Sequence, residues 1–83
     1  MPTVAVVEGV MIVIYHNGHP PAHVHAEMGE HHAVFEIESL RLVRGFLPAA
    51  KRRIVQEWAM PRRDALRAAF LQATARQKIG RIE

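Results

Sequence analysis

Apolar and polar residues recur along this chain in two rhythms, and the change of rhythm divides it. From Val4 to Tyr15 the apolar positions are mostly β-branched (Val4, Val6, Val7, Val10, Ile12, Val13, Ile14), and Glu8-Gly9 interrupts them. That pattern predicts two strands joined by a tight turn. The second, Val10 to Tyr15, is apolar on both faces, so it is expected at the centre of a sheet, covered twice, or in a subunit contact. His16-Asn17-Gly18-His19-Pro20-Pro21 is turn chemistry, because Asn-Gly tolerates positive φ and the prolines withhold ladder donors. His23 to Met28 then alternates with period two. Gly29-Glu30 fits a type II′ hairpin turn, and the return strand is His31 to Ile37.

That turn fixes a register. Met28 should face His31, Glu27 His32, Ala26 Ala33, His25 Val34, Val24 Phe35 and His23 Glu36. One face then carries Val24, Ala26, Met28, Ala33, Phe35 and Ile37, and the other carries His23, His25, Glu27, His32 and Glu36. A slip of one residue would turn every side chain to the wrong face, so the pattern supports its own pairing.

After residue 40 the rhythm lengthens. Arg41 to Leu47 can form one more strand, with Leu42, Arg44 and Phe46 on one side and Val43 and Leu47 on the other. Pro48 suits the first turn of a helix. Ile54, Val55 and Trp58 form an apolar stripe, Met60-Pro61 breaks the run, and Leu66, Ala69, Phe70 and Ala73 resume it until about Gly80. The expectation is an α+β fold: a small antiparallel sheet of about five strands over residues 3–47, then a two-helix segment over 48–60 and 61–78. Core packing accounts for Trp58 and Phe70.

Length makes residues 1–83 a single expected domain, which by its size should bury only roughly 60% of its unfolded surface. The chain has no cysteine, which removes disulfides and thiolate metal sites and fits a reducing cytosol. Val4 to Tyr15 is far short of the ~20 apolar residues a membrane span needs and has no basic flank, so a cytoplasmic protein without a membrane role is expected. The formal charge of +3 conceals a division: residues 1–40 carry −5 and all six histidines, whereas residues 41–83 carry +8 and all eleven Lys and Arg. Lys51, Arg52 and Arg53 open the first predicted helix, and Arg62 and Arg63 open the second. Cations oppose the dipole there. They are explained either as a solvated face that neutralises the acidic sheet or as an anion site receiving phosphate.

The histidines are the candidate chemistry. His23 and His25, two apart on a strand, project to the same side and can reach one metal ion. A third ligand from His19, Glu27 or His32 would leave an open water position, as in a catalytic zinc site. An all-nitrogen-and-oxygen set also suits nickel, copper or ferrous iron. Without a metal, two imidazoles oriented by Glu27 or Glu36, with Arg52 or Arg53 on a phosphate, could cleave RNA by general acid–base catalysis. A hydrogen-bonded solvent face without chemistry is the third account. His16 and His31 look incidental.

Gly18-His19-Pro20-Pro21-Ala22-His23-Val24-His25-Ala26-Glu27 resembles the signature of a bacterial family known as domain of unknown function 4160. So do Met1-Pro2-Thr3 at the start, Glu57-Trp58 in the first helix and the Gly80-Arg81-Ile82 tail. Two positions depart from the family's usual pattern: Gly18, where many relatives have an acid, and Met28, where many have an aromatic. The resemblance implies that His19, His23 and His25 mark the site and that Trp58 is structural. It also implies membership of a small two-protein system, toxin–antitoxin-like, and therefore a small protein partner or a homo-oligomer. The leading expectation is an interaction module with a His-rich surface site, its partner a protein with nucleic acid as a further candidate. A metal-dependent or His-based hydrolase using His23 and His25 is the alternative. A direct DNA reader is weaker, because no helix-turn-helix signature stands out and +3 is a modest charge.

Overall fold

A computed structural model describes residues 3–82. Five strands, β1 (Thr3–Val7), β2 (Val10–Val13), β3 (His23–Met28), β4 (His31–Glu36) and β5 (Leu42–Gly45), form one sheet in the order of the chain, each antiparallel to the next. Glu8 and Gly9 both take positive φ in the two-residue turn between β1 and β2, the requirement of a type I′ hairpin. Gly29 is positive and Glu30 is not, as a type II′ turn demands, and all six predicted β3–β4 pairs are present. β2 lies inside the sheet, between β1 and β3, which accounts for its two apolar faces.

β5 departs from simple alternation. Val34 opposes Arg44 and Phe35 opposes Leu42, so Val43 is the extra residue of a bulge. The bulge turns Leu42 toward the core and leaves Val43, Arg44, Gly45 and Phe46 exposed, so the expected Leu42–Arg44–Phe46 face does not exist. Gly45, at φ 81°, closes it. A Cβ there would stand 2.0 Å from the His32 carbonyl oxygen.

The C-terminal segment also differs from the expected pair of helices. It is one helical element from Ala49 to Thr74, made of α1 (Ala49–Ala59), a 3-10 turn (Met60–Arg62) and α2 (Arg63–Thr74). Pro61 removes a helical N–H, yet the chain continues through a tighter turn, and the Arg62 guanidinium donates to the Trp58 carbonyl at 2.7 Å. The helix stops at Thr74 rather than near residue 78. Arg76 takes a left-handed conformation (φ 59°), and Gln77 and Arg76 donate back to the Gln72 and Ala73 carbonyls, a Schellman cap. Gly80 has no part in it.

The helix covers one face of the sheet. Val4, Val10, Ile12, Ile14, Val24, Ala26, Ala33, Phe35 and Ile37 pack there with Val55, Ala59, Leu66, Ala69, Phe70 and Ala73 of the helix. Trp58, partly buried, packs against the same core. The tail returns to the sheet: Ile79 and Ile82 pack on the core, and the Ile82 N–H donates to the Val4 carbonyl at 2.6 Å. No helix among the described residues is long and apolar enough to cross a membrane.

Candidate functional site

The face turned away from the helix carries His25 and His32, with His23 at its end. Its central feature is one row across all five strands: Thr3, Val13, His25, Val34 and Arg44 are successive cross-strand partners. Val13 and Val34 are 0% and 6% exposed but stand outside the main core, so they form a small apolar seat of their own. His25 sits between them. Directly opposed side chains on a sheet approach within about 5 Å, so the ring loses water on both sides. The Tyr15 ring meets it as well in a T-shaped contact, 4.5 Å between ring centroids.

This seat determines the charge of His25. Burial is the main cause that lowers its pKa to about 4, and His23 and His32 beside it, with Arg44 farther along the row, add to the effect against the opposing pull of Glu27. At neutral pH the ring is uncharged. Its Nδ1 and the Nε2 of His32 are 2.9 Å apart, one donating to the other. In the neighbouring row Glu27 opposes His32, and the Tyr15 hydroxyl donates to the Glu27 carboxylate at 2.8 Å. That bond, then burial and the carboxylate charge, raise the tyrosine pKa.

His23 is held differently. Its Nδ1 donates to the Pro21 carbonyl at 3.0 Å, which fixes the tautomer and leaves Nε2 as an open acceptor. The ring packs against Phe70 of α2 and lies 5.2 Å from His25, centroid to centroid. Gly18 completes the contact, since a Cβ at that position would come within 3.0 Å of the Phe70 ring. An acidic side chain at this position would therefore require Phe70 to give way. The turn before His23 contains a cis Pro20–Pro21 bond.

Together these groups border a cleft of about 400 Å³. The turn from Asn17 to Pro21 lines one part of it, Tyr15, His23 and His25 another, and Val34, Glu36, Val43 and Arg44 the rest. Glu36 is engaged by the Ser39 hydroxyl at 2.7 Å. Arg44 and Val43 are exposed on β5.

His19, His23 and His25 thus border one cleft, whereas Glu27 lies outside its lining and is bound to Tyr15. Among the described residues no group of three His, Asp or Glu side chains is placed to hold a metal ion. The five cations suggested as an anion site lie in α1 (Lys51, Arg52 and Arg53) and at the passage from the 3-10 turn into α2 (Arg62 and Arg63). Lys51 donates to the Glu8 carbonyl at 2.6 Å, Arg62 lies over the Trp58 ring, and Arg52 and Arg53 are exposed. Arg62 and Arg63 stand where the 3-10 turn passes into α2, with Arg63 its first residue. Sequence reasoning missed Tyr15, Val34, Val43 and Arg44 as cleft residues. The His25–Val34 pairing was available in the predicted register, but Arg44 reaches that row only through the bulge.

The model of the family described as a domain of unknown function (DUF4160) matches residues 9–70, or 62 of the 83 residues. No curated protein and no solved structure matches the chain.

Proposed function

Since the chain belongs to the family described as a domain of unknown function (DUF4160), we propose that it is a small interaction module that binds a protein partner in the outer-face cleft. The observation that carries this reading is the cleft's make-up. Its volume of about 400 Å³ lies in the range of sites for small ligands or a few side chains, and it joins an apolar seat to a few convergent polar groups. Those groups are already ordered by internal contacts: His23 by Pro21, His25 by His32 and the two valines, Glu36 by Ser39. An ordered site loses little entropy when it is filled. A two-protein, toxin–antitoxin-like setting, implied by the resemblance in the His19–His25 segment, would supply such a partner.

Hydrolysis by His23 and His25 has less support. A general base near neutrality needs a pKa close to the working pH, and His25 is pushed to about 4. His23 is oriented by a main-chain oxygen rather than by a carboxylate.

A peptide-display selection with the folded chain as bait tests the proposal. It should enrich peptides that bind in the micromolar range and shift the amide resonances of Tyr15, His23, His25 and Val43. Failure to enrich any peptide, or shifts confined to the helix, would overturn the proposal.

A further inference from the structure

Resting on that reading, we infer that the cleft takes an extended segment of the partner in which an acidic residue stands beside an apolar one. Arg44 receives the carboxylate, and Val43 with Val34 receives the apolar side chain. The two edges of the sheet are unlike. On β1 the chain's own tail reaches the edge, through the Ile82–Val4 hydrogen bond. β5, the other edge, has Val43 to Gly45 exposed, and Val43 and Arg44 belong to the cleft wall. An open edge beside a cleft is where an extended chain can lie. The bulge at Val43 limits how many ladder bonds such a chain can make, so side-chain contacts must select it.

Charge identifies the occupant. Among the described residues the Arg44 guanidinium makes no hydrogen bond or ion pair, while Arg67 and Lys51 are both engaged. The carboxylate in the same cleft, Glu36, is bonded to Ser39. Arg41 precedes β5 and is likewise exposed. Two copies joined β5 to β5 would bring the exposed Arg41 and Arg44 of one copy near those of the other, so a second copy is disfavoured. A nucleic acid would bring successive phosphates to a wall that contains Glu36 and an uncharged His25. An acidic, partly apolar protein segment also faces the Glu36 charge, but it needs to place only one carboxylate, at Arg44, and its apolar side chain meets Val43 and Val34.

Capped ten-residue peptides, titrated into isotope-labelled protein and read by amide shifts, provide the test. One alternates Glu with Leu, a second Lys with Leu, and a third Glu with Ser; a ten-nucleotide oligouridylate is the fourth probe. The Glu/Leu peptide should bind at least tenfold more tightly than the other three and shift Val43 and Arg44. Arg44→Glu, an exposed change whose fold is verified by its spectrum, should weaken that peptide at least tenfold and make Lys/Leu the better ligand. Equal binding of Glu/Leu and Lys/Leu, no effect of Arg44→Glu, tighter binding of the oligonucleotide, or no binding of Glu/Leu at millimolar concentration would each overturn the inference. Display-selected peptides that bind the cleft without acidic residues would overturn it too, while leaving the interaction module standing.

Discussion

His25 couples its protonation to folding because it lies between Val13 and Val34. Its pKa is about 4 in the folded chain and near 6.5 when unfolded. Above pH 6.5 the ring is neutral in both states and adds no pH dependence. As pH falls from 6.5 toward 4, the unfolded chain takes up a proton that the folded chain does not, so stability is lost across that window. Allowing for solvent screening at a partly exposed ring, the loss should be about 1–2 kcal/mol. Urea denaturation at pH 7 and pH 4.5 should show it, with a smaller difference in His25→Gln; equal differences in the two proteins would contradict the assignment. Half of this environment was legible beforehand. The II′ turn put His25 opposite Val34, but the β2–β3 register that puts it opposite Val13 depends on the path of the turn from His16 to Ala22. Glu8 is a second residue at odds with its place, since it holds φ 49° in a type I′ turn. Glu8→Asn should raise stability by roughly 0.5–1 kcal/mol, because Asn adopts that conformation more readily and the Lys51 bond goes to the main chain. An unchanged denaturation midpoint would show that the turn carries no such strain.

Among the elements, the β3–β4 hairpin was the most legible, because alternation and turn chemistry specify the same register. β5 was the least. Its bulge is fixed by Gly45 and by the approach of the His32 carbonyl, a tertiary contact that no local pattern records. Gly45→Ala should therefore cost roughly 2–4 kcal/mol, through both the left-handed backbone and the collision, and should lower the thermal midpoint markedly. A midpoint within a degree of wild type would show that the bulge can rearrange. Of the helix boundaries, the interruption at Met60-Pro61 was legible and the C-terminus was not. At the interruption a single 3-10 turn absorbs the donor that Pro61 lacks, so the apolar positions on both sides still face one core. At the C-terminus, Gly80 suggested a cap, whereas Arg76 occupies the left-handed position. Arg76→Gly should stabilise the chain by about 0.5–1 kcal/mol, measured by urea denaturation, because the Schellman bonds are retained and the side-chain penalty is removed.

Over the whole molecule, the charge division is bridged more narrowly than the formal charges of its halves suggest. Arg67 joins the helix to the β4–β5 connection by two bonds to the Glu38 carboxylate and holds that carboxyl below its usual pKa, while Lys51 binds a main-chain oxygen rather than an acid. The two layers are held by apolar burial; among the described residues no polar residue is fully buried. The tail contributes to this burial and also protects the sheet. Ile79 and Ile82 each cover part of the core, and the Ile82 N–H occupies an acceptor on β1. Removing residues 79–83 should therefore have two separable effects. Loss of the two partly buried isoleucines and one hydrogen bond should reduce stability by about 1–3 kcal/mol. Exposure of the β1 edge, which presents Val6 and no Lys or Arg, should promote edge-to-edge association. Denaturation at low concentration measures the first effect, and sedimentation velocity over a hundredfold concentration range measures the second. Replacing Ile79 and Ile82 by serine in the full-length chain distinguishes them, because the main-chain bond to Val4 can persist while the apolar cover is lost. That variant should lose stability yet remain less associated than the truncated chain. If both associate equally, the tail acts through its side chains alone and the two sheet edges do not differ as described.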